Sequence, residues 1–155
     1  MTIGSIKVLG LAAALILSGT GFYWLFRDPQ SAIFLSFLPS SPGYENALAI
    51  TPWINWLPTF LHVIAFSLLT TLILGYPYSG FSCLLWAIIN IVFEVGQGLP
   101  LHFIQLLPEG IYIQHFFSLG VFDPADIVAA ILGALTAWLI IQSIQEASNN
   151  EQTPS

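Results

Sequence analysis

Charge is what this sequence has least of. Ten charged side chains in 155 residues make 6%, where an ordinary soluble domain carries about 25%. Two are cations, Lys7 and Arg27, and eight are carboxylates, for a net charge of −6. So few cations leave no basic patch to neutralise nucleic-acid phosphates or to grip anionic lipid heads, and both partner classes drop out. Cysteine is as scarce: Cys83 stands alone, which excludes an intrachain disulfide and a CxxC metal motif. The sequence also has no GxSxG, HExxH, Walker or GxGxxG motif, so no motif names a reaction class.

What the sequence has in quantity is apolar length. Hydrophobic residues make up 56% of the chain and the mean hydropathy is +0.83. Uncharged runs cover 8–26, 46–93 and 127–145. A helical crossing takes about 20 apolar residues, so the middle run accommodates two. The expected fold class is therefore all-α: a polytopic membrane protein, a bundle of about four transmembrane helices with an interfacial or re-entrant segment before the last. A single domain over 1–145 holds spans at about 6–26, 58–75, 81–99 and 124–142. The polar stretch 146–155 reads as a disordered tail.

Local signals set these limits. Lys7, the apolar run Leu11 to Leu17 and Ser18-Gly19-Thr20-Gly21 contain the ingredients of a signal peptide. The apolar stretch nevertheless continues through Phe22-Tyr23-Trp24-Leu25-Phe26 to Arg27, as in an uncleaved span ending in an aromatic belt. Gly10, Ala14 and Ser18 recur every four residues, a spacing that lets another helix backbone approach closely. Pro29, Pro39, Pro42, Gly43 and Pro52 interrupt 27–54, and Ser31 to Leu38 is too short to cross, so it is expected at the interface. Pro108-Glu109-Gly110 divides 100–122 into halves of about ten residues, each too short to span.

Four crossings put the end of the first span, the start of the second, the end of the third and the start of the fourth on one side, the A face. The ionisable residues gather there: Arg27 and Asp28, His62, Glu94 with Gln97, and Asp123 with Asp126. At 1.5 Å per residue, His62 and Glu94 would lie roughly 6–8 Å inside their helix ends. Asn90, Glu94 and Gln97 stand at i, i+4 and i+7, on one stripe of the third helix. An acid in a span is costly unless paired, hydrated or protonated, which makes it a candidate functional group. A polar clamp between helices accounts for the same stripe.

His62 could serve as general base, proton relay or ligand, or as a packing residue. Asp123-Pro124-Ala125-Asp126 carries a helix N-terminal signature, with Asp at the N-cap, Pro at N1 and an acid at N3. Asp126 shares its face with Ala130, Gly133 and Ala137, the small residues of a close-packed side, so it should point into the bundle. His102 and His115 flank the Pro108 break, but the spacing fits no ligand motif. Neither a metal nor a cofactor is expected.

His62 early in one span, Glu94-x-x-Gln97 late in the next, then Asp123-x-x-Asp126 and Gly133 opening the last resemble the VanZ-like family of small membrane proteins. The resemblance covers roughly 55–143. It implies an integral membrane protein of the kind associated with low-level resistance to the glycopeptide teicoplanin, and a site without a named reaction. The chain departs from the family at Pro58 and Thr59, where an acid and a base often stand, and at Gly120 and Ala130, in place of an arginine and an asparagine.

Two functional expectations follow. In the first, the A-face mouth binds or acts on the head of a membrane lipid or lipid-linked cell-envelope molecule. Glu94 would be the proton acceptor or anchor, His62 its partner and Asp126 a second acid, with Gln97, Asn90 and Asp123 as binding residues. In the second, the polar residues only join helices or dock a homo- or hetero-oligomeric membrane partner. The expected location is the bacterial cytoplasmic membrane, with both termini cytoplasmic on the strength of Lys7 and the terminal amine.

Overall fold

The computed structural model describes residues 3–26, 54–106, 114, 117 and 120–152. Arg27, Asp28, the stretch Ser31 to Leu38, Pro108-Glu109-Gly110 and His115 lie outside the described residues. The described chain is helical, without a strand: α1 is Ile3–Phe26, α2 Leu57–Leu74, α3 Ser79–Gln97 and α4 Pro124–Gln152, with a single helical turn at Leu101–Ile104. Four helices are long and apolar enough to cross a membrane, at Gly4–Phe26, Leu57–Leu74, Tyr76–Gln97 and Pro124–Ala147. The protein is a polytopic integral membrane bundle.

Each boundary has a local cause. Pro58 sits in the first turn of α2, where a missing N–H leaves no partner unsatisfied. Gly75 closes that helix at φ 95°, and its N–H donates to the Thr71 carbonyl at 2.8 Å. This left-handed backbone is open to glycine at little steric cost. A 3-10 turn, Tyr76–Tyr78, then leads directly into α3, so the α2–α3 hairpin is tight.

Helix α2 is the hub. It packs on α1, α3 and α4; α3 also packs on α4, whereas α1 leans almost wholly on α2. Val8 and Ala12 of α1, Ile64 and Leu68 of α2, Cys83 of α3 and Ala137 and Ile141 of α4 form the shared core. Trp86 Nε1 donates to Thr70 Oγ1 at 2.7 Å, and its ring stacks on Phe66 at 4.6 Å, tying α3 to α2. Leu17, Ile73 and Val92 are among the large apolar side chains left outside, as a lipid-facing surface requires.

Two features differ from the sequence reading. Helix α4 continues to Gln152, through the start of the stretch read as a disordered tail, because Gln, Glu and Ala favour helix and no Gly or Pro intervenes before Pro154. The Gly10/Ala14/Ser18 stripe is not the internal seam. Those residues face outward and a Cβ on Gly10 would meet nothing within 4 Å, while Val8, Ala12, Gly19 and Phe22 turn inward.

Candidate functional site

The A-face mouth is built where α3 ends and α4 begins. Glu94, 7% exposed, accepts a hydrogen bond on Oε1 from the backbone N–H of Asp123. Asp123 in turn caps α4: its Oδ1 accepts the Ala125 N–H at 2.9 Å, and its carbonyl accepts the Asp126 N–H at 3.0 Å. In a capping box the N3 side chain reaches back to the N-cap N–H. Here N3 is Asp126, yet the N-cap N–H goes to Glu94 of another helix. The bond satisfies a donor at a helix end and places a carboxylate beside the positive end of the helix dipole.

Phe117, Gly120 and Phe122, before α4, lie against the end of α3. The Phe117 ring stacks on Phe93 with centroids 5.7 Å apart, and a Cβ on Gly96 would lie 2.5 Å from that ring. Gly120 lies against the Gln97 side chain so closely that a Cβ there would overlap it. Gly98 abuts Phe122. The glycines allow Phe117, Phe122 and the backbone at residue 120 to approach the end of α3 closely.

Asp126 is half-buried, with Oδ1 removed from solvent. Below it Ala130 and Ala137 are fully buried, and a Cβ on Gly133 would stand 2.9 Å from the Phe60 carbonyl oxygen and 3.1 Å from Val63 Cβ. The face carrying Asp126 is thus the close-packed one, and α4 meets the backbone of α2 there.

Glu94, Asp123 and Asp126 are therefore brought together, with Gln97 one turn away under Gly120. His62 and Asn90 are placed differently. His62 lies nearly parallel to Tyr23 of α1, centroids 6.2 Å apart, and its centroid is 6.1 Å from that of Phe66. Its Nε2 would be 3.0 Å from a Cβ on Gly19. His62 makes no hydrogen bond or ion pair with a described residue. Asn90 donates to the Trp86 carbonyl of its own helix at 2.8 Å. The sequence gives depth along each helix but not the face: His62 turns toward α1, Glu94 toward α4.

Among the described residues no group of three His, Cys, Asp or Glu side chains is arranged to hold a metal ion. His102 is exposed and lies against Phe103, ring centroids 4.2 Å apart. Sequence reasoning missed Gly19 as the seat of His62, and Phe117 and Gly120 as neighbours of the end of α3. A glycine facing a large side chain is a usable signal only once the pairing of helices is known. No protein-family model, curated protein or solved structure matches this chain.

Proposed function

We propose that this is a VanZ-like protein of the bacterial cytoplasmic membrane, with both termini cytoplasmic, whose A-face mouth receives the polar head of a lipid or lipid-linked envelope molecule. The observation that supports this reading most is the hydrogen bond from Asp123 N–H to buried Glu94, which brings Glu94 to the helix start that carries Asp123 and Asp126. Glu94 serves here as the anchor that shapes the mouth, since its oxygen is engaged by backbone. Asp126 is the second acid at the start of α4. Gln97 orients the head group by hydrogen bonding. Carboxylates at the rim complement ammonium or hydroxyl-bearing heads.

A second reading draws on the same bond. Glu94 that serves only the α4 cap makes the protein a non-catalytic scaffold or accessory subunit, its polar residues joining helices and presenting them to a membrane partner. Melting in detergent, with candidate lipids added one at a time, separates the readings. Under the first, a lipid at 100 times its Kd stabilises the protein by about 2.7 kcal/mol, and Asp126→Asn loses that gain while still folding. Under the second, Glu94→Gln lowers the midpoint and no lipid raises it in the wild type or either variant.

A further inference from the structure

Helix α4 shows two unlike faces. Inward lie the small residues Ala130, Gly133 and Ala137, buried in the bundle. Outward, Val128, Leu132, Leu135, Leu139 and Gln142 follow one another at intervals of four, three, four and three residues. The four apolar members are 50–58% exposed and Gln142 is half-buried. A repeat of this period keeps one stripe of a helix aligned on a parallel partner over several turns, as in a left-handed coiled coil.

Leucine and valine alone would be at home among acyl chains. The polar groups of the same face would not. The span Pro124–Ala147 has its middle between residues 135 and 136, which puts Trp138 about 4 Å and Gln142 about 10 Å from it. Both distances fall inside a hydrocarbon half-thickness of about 15 Å. Tryptophan ordinarily stands at the membrane–water boundary, yet Trp138 is near mid-span and exposed. Neither its indole N–H nor the Gln142 amide has a hydrogen-bond partner among the described residues, and an unsatisfied polar group in hydrocarbon is costly. Ser143, also exposed, donates its hydroxyl to the Leu139 carbonyl at 2.9 Å, which leaves its oxygen able to accept.

A second copy of the chain supplies what these groups lack. Two copies inserted in one orientation have parallel α4 helices, and a two-fold axis along the membrane normal sets each residue of the repeat opposite its own counterpart. The Gln142 amides then meet at the axis, each carrying the donor and the acceptor that the other needs. Trp138 flanks the repeat on one side and Ser143, five residues on, flanks it on the other. Positions so spaced face one another across a parallel seam, so the indole N–H of one copy is directed to the hydroxyl oxygen of Ser143 of the partner subunit. We propose that the protein is a parallel homodimer joined by α4, with the valine and leucines of the repeat as an apolar seam and Gln142 as its polar lock. Glu146, next in the repeat, ends the seam, because two carboxylates do not meet in hydrocarbon and the helices part there into water. The inference rests on neither reading of the A-face mouth.

Single-cysteine variants in a Cys83→Ala background test it in the membranes of expressing cells, where all copies share one orientation. Leu135→Cys and Leu139→Cys should give covalent dimers under a membrane-permeant oxidant, at yields well above those of Leu17→Cys on α1 and Val92→Cys on α3, where the native side chains are no less exposed. Energy transfer between dye-labelled copies of the full chain, diluted with lipid in neutral phospholipid vesicles, gives the dimer dissociation constant. Gln142→Leu should raise it about 3- to 30-fold, the worth of a hydrogen bond between membrane helices. Gln142→Asn, which keeps the amide, should raise it less. Trp138→Phe, which keeps a ring without the N–H, should raise it as well. Equal cross-linking at all four sites, as from lipid-covered helices meeting by chance, overturns the proposal, and so does a higher yield at Leu17→Cys or Val92→Cys, which would put another helix at the interface. A dissociation constant unchanged in both Gln142→Leu and Trp138→Phe overturns it too. Should Gln142→Leu fail to reconstitute, Trp138→Phe decides alone.

Discussion

The α3–α4 seam and the α1–α2 seam close the same bundle by opposite means. The first is fixed by a backbone N–H donated to a buried carboxylate, with Phe117 and Gly120 packed beside it. In the second, the His62 imidazole lies on Gly19 and beside the Tyr23 ring, with no hydrogen bond from His62 to a described residue. Within lipid the difference matters, because apolar contact with a neighbouring helix replaces equally apolar contact with acyl chains. Association rests on close packing and on polar bonds across helices. At Glu94 the first seam has a directional bond; at His62 the second has complementarity.

Removing that bond should produce the largest effect. Glu94→Ala leaves the Asp123 N–H without its acceptor and opens a hole between the end of α3 and the start of α4. Hydrogen bonds to charged groups contribute about 1.5–3 kcal/mol. The expected outcome is a midpoint in detergent lower by roughly 3–12 °C at 2–4 °C per kcal/mol. Glu94→Gln, whose amide oxygen can still accept, should lose less than half as much. Equal losses in both variants would show that the carboxylate charge, not the acceptor position, holds the seam.

Gly19→Ala tests the other side of the comparison. A methyl group 3.0 Å from the imidazole Nε2 forces the ring or α1 to shift, and overpacking of this kind costs about 1–3 kcal/mol. The expected effect is a smaller midpoint loss than for Glu94→Ala, accompanied by faster proteolysis of α1 alone. In the double variant Gly19→Ala/His62→Ala much of the loss should return, since the clashing ring is gone. Asp123→Ala comes next. It removes the side-chain acceptor of the Ala125 N–H but not the backbone donor to Glu94, so about 1 kcal/mol is expected, read as a 2–4 °C shift.

The sequence made the four crossings legible because a span imposes two crude requirements, length and lack of charge, that single residues satisfy or violate. It also made the start of α4 legible, since Asp123, Pro124 and Asp126 act through their own backbone. The placement of Glu94 near that start was readable from depth, through the count of residues to each helix end. His62 was read at a similar depth and expected beside Glu94. Depth says nothing of rotation about the helix axis, and the rotation of α2 follows from contacts distant in sequence: Gly19 with His62, Gly133 with Phe60, Trp86 with Thr70. The Gly10/Ala14/Ser18 stripe shows the same gap. Its spacing identifies a smooth face but not which way that face turns.

That stripe supplies the smallest effect and the control for the α1–α2 seam. Gly10 and Gly19 lie on the same helix, and each would receive only one methyl group on substitution to alanine. At Gly10 a new Cβ meets nothing within 4 Å. The substitution therefore changes backbone entropy alone, and an Ala in a helix interior is favoured over Gly by about 0.8–1 kcal/mol. Gly10→Ala should leave the midpoint unchanged or raise it by 2–4 °C, while Gly19→Ala lowers it. Opposite signs from the same chemical change on one helix would locate the vulnerability of α1 in the notch under His62. A loss at Gly10 as large as at Gly19 would mean instead that the outward face of α1 is covered by another helix in the membrane.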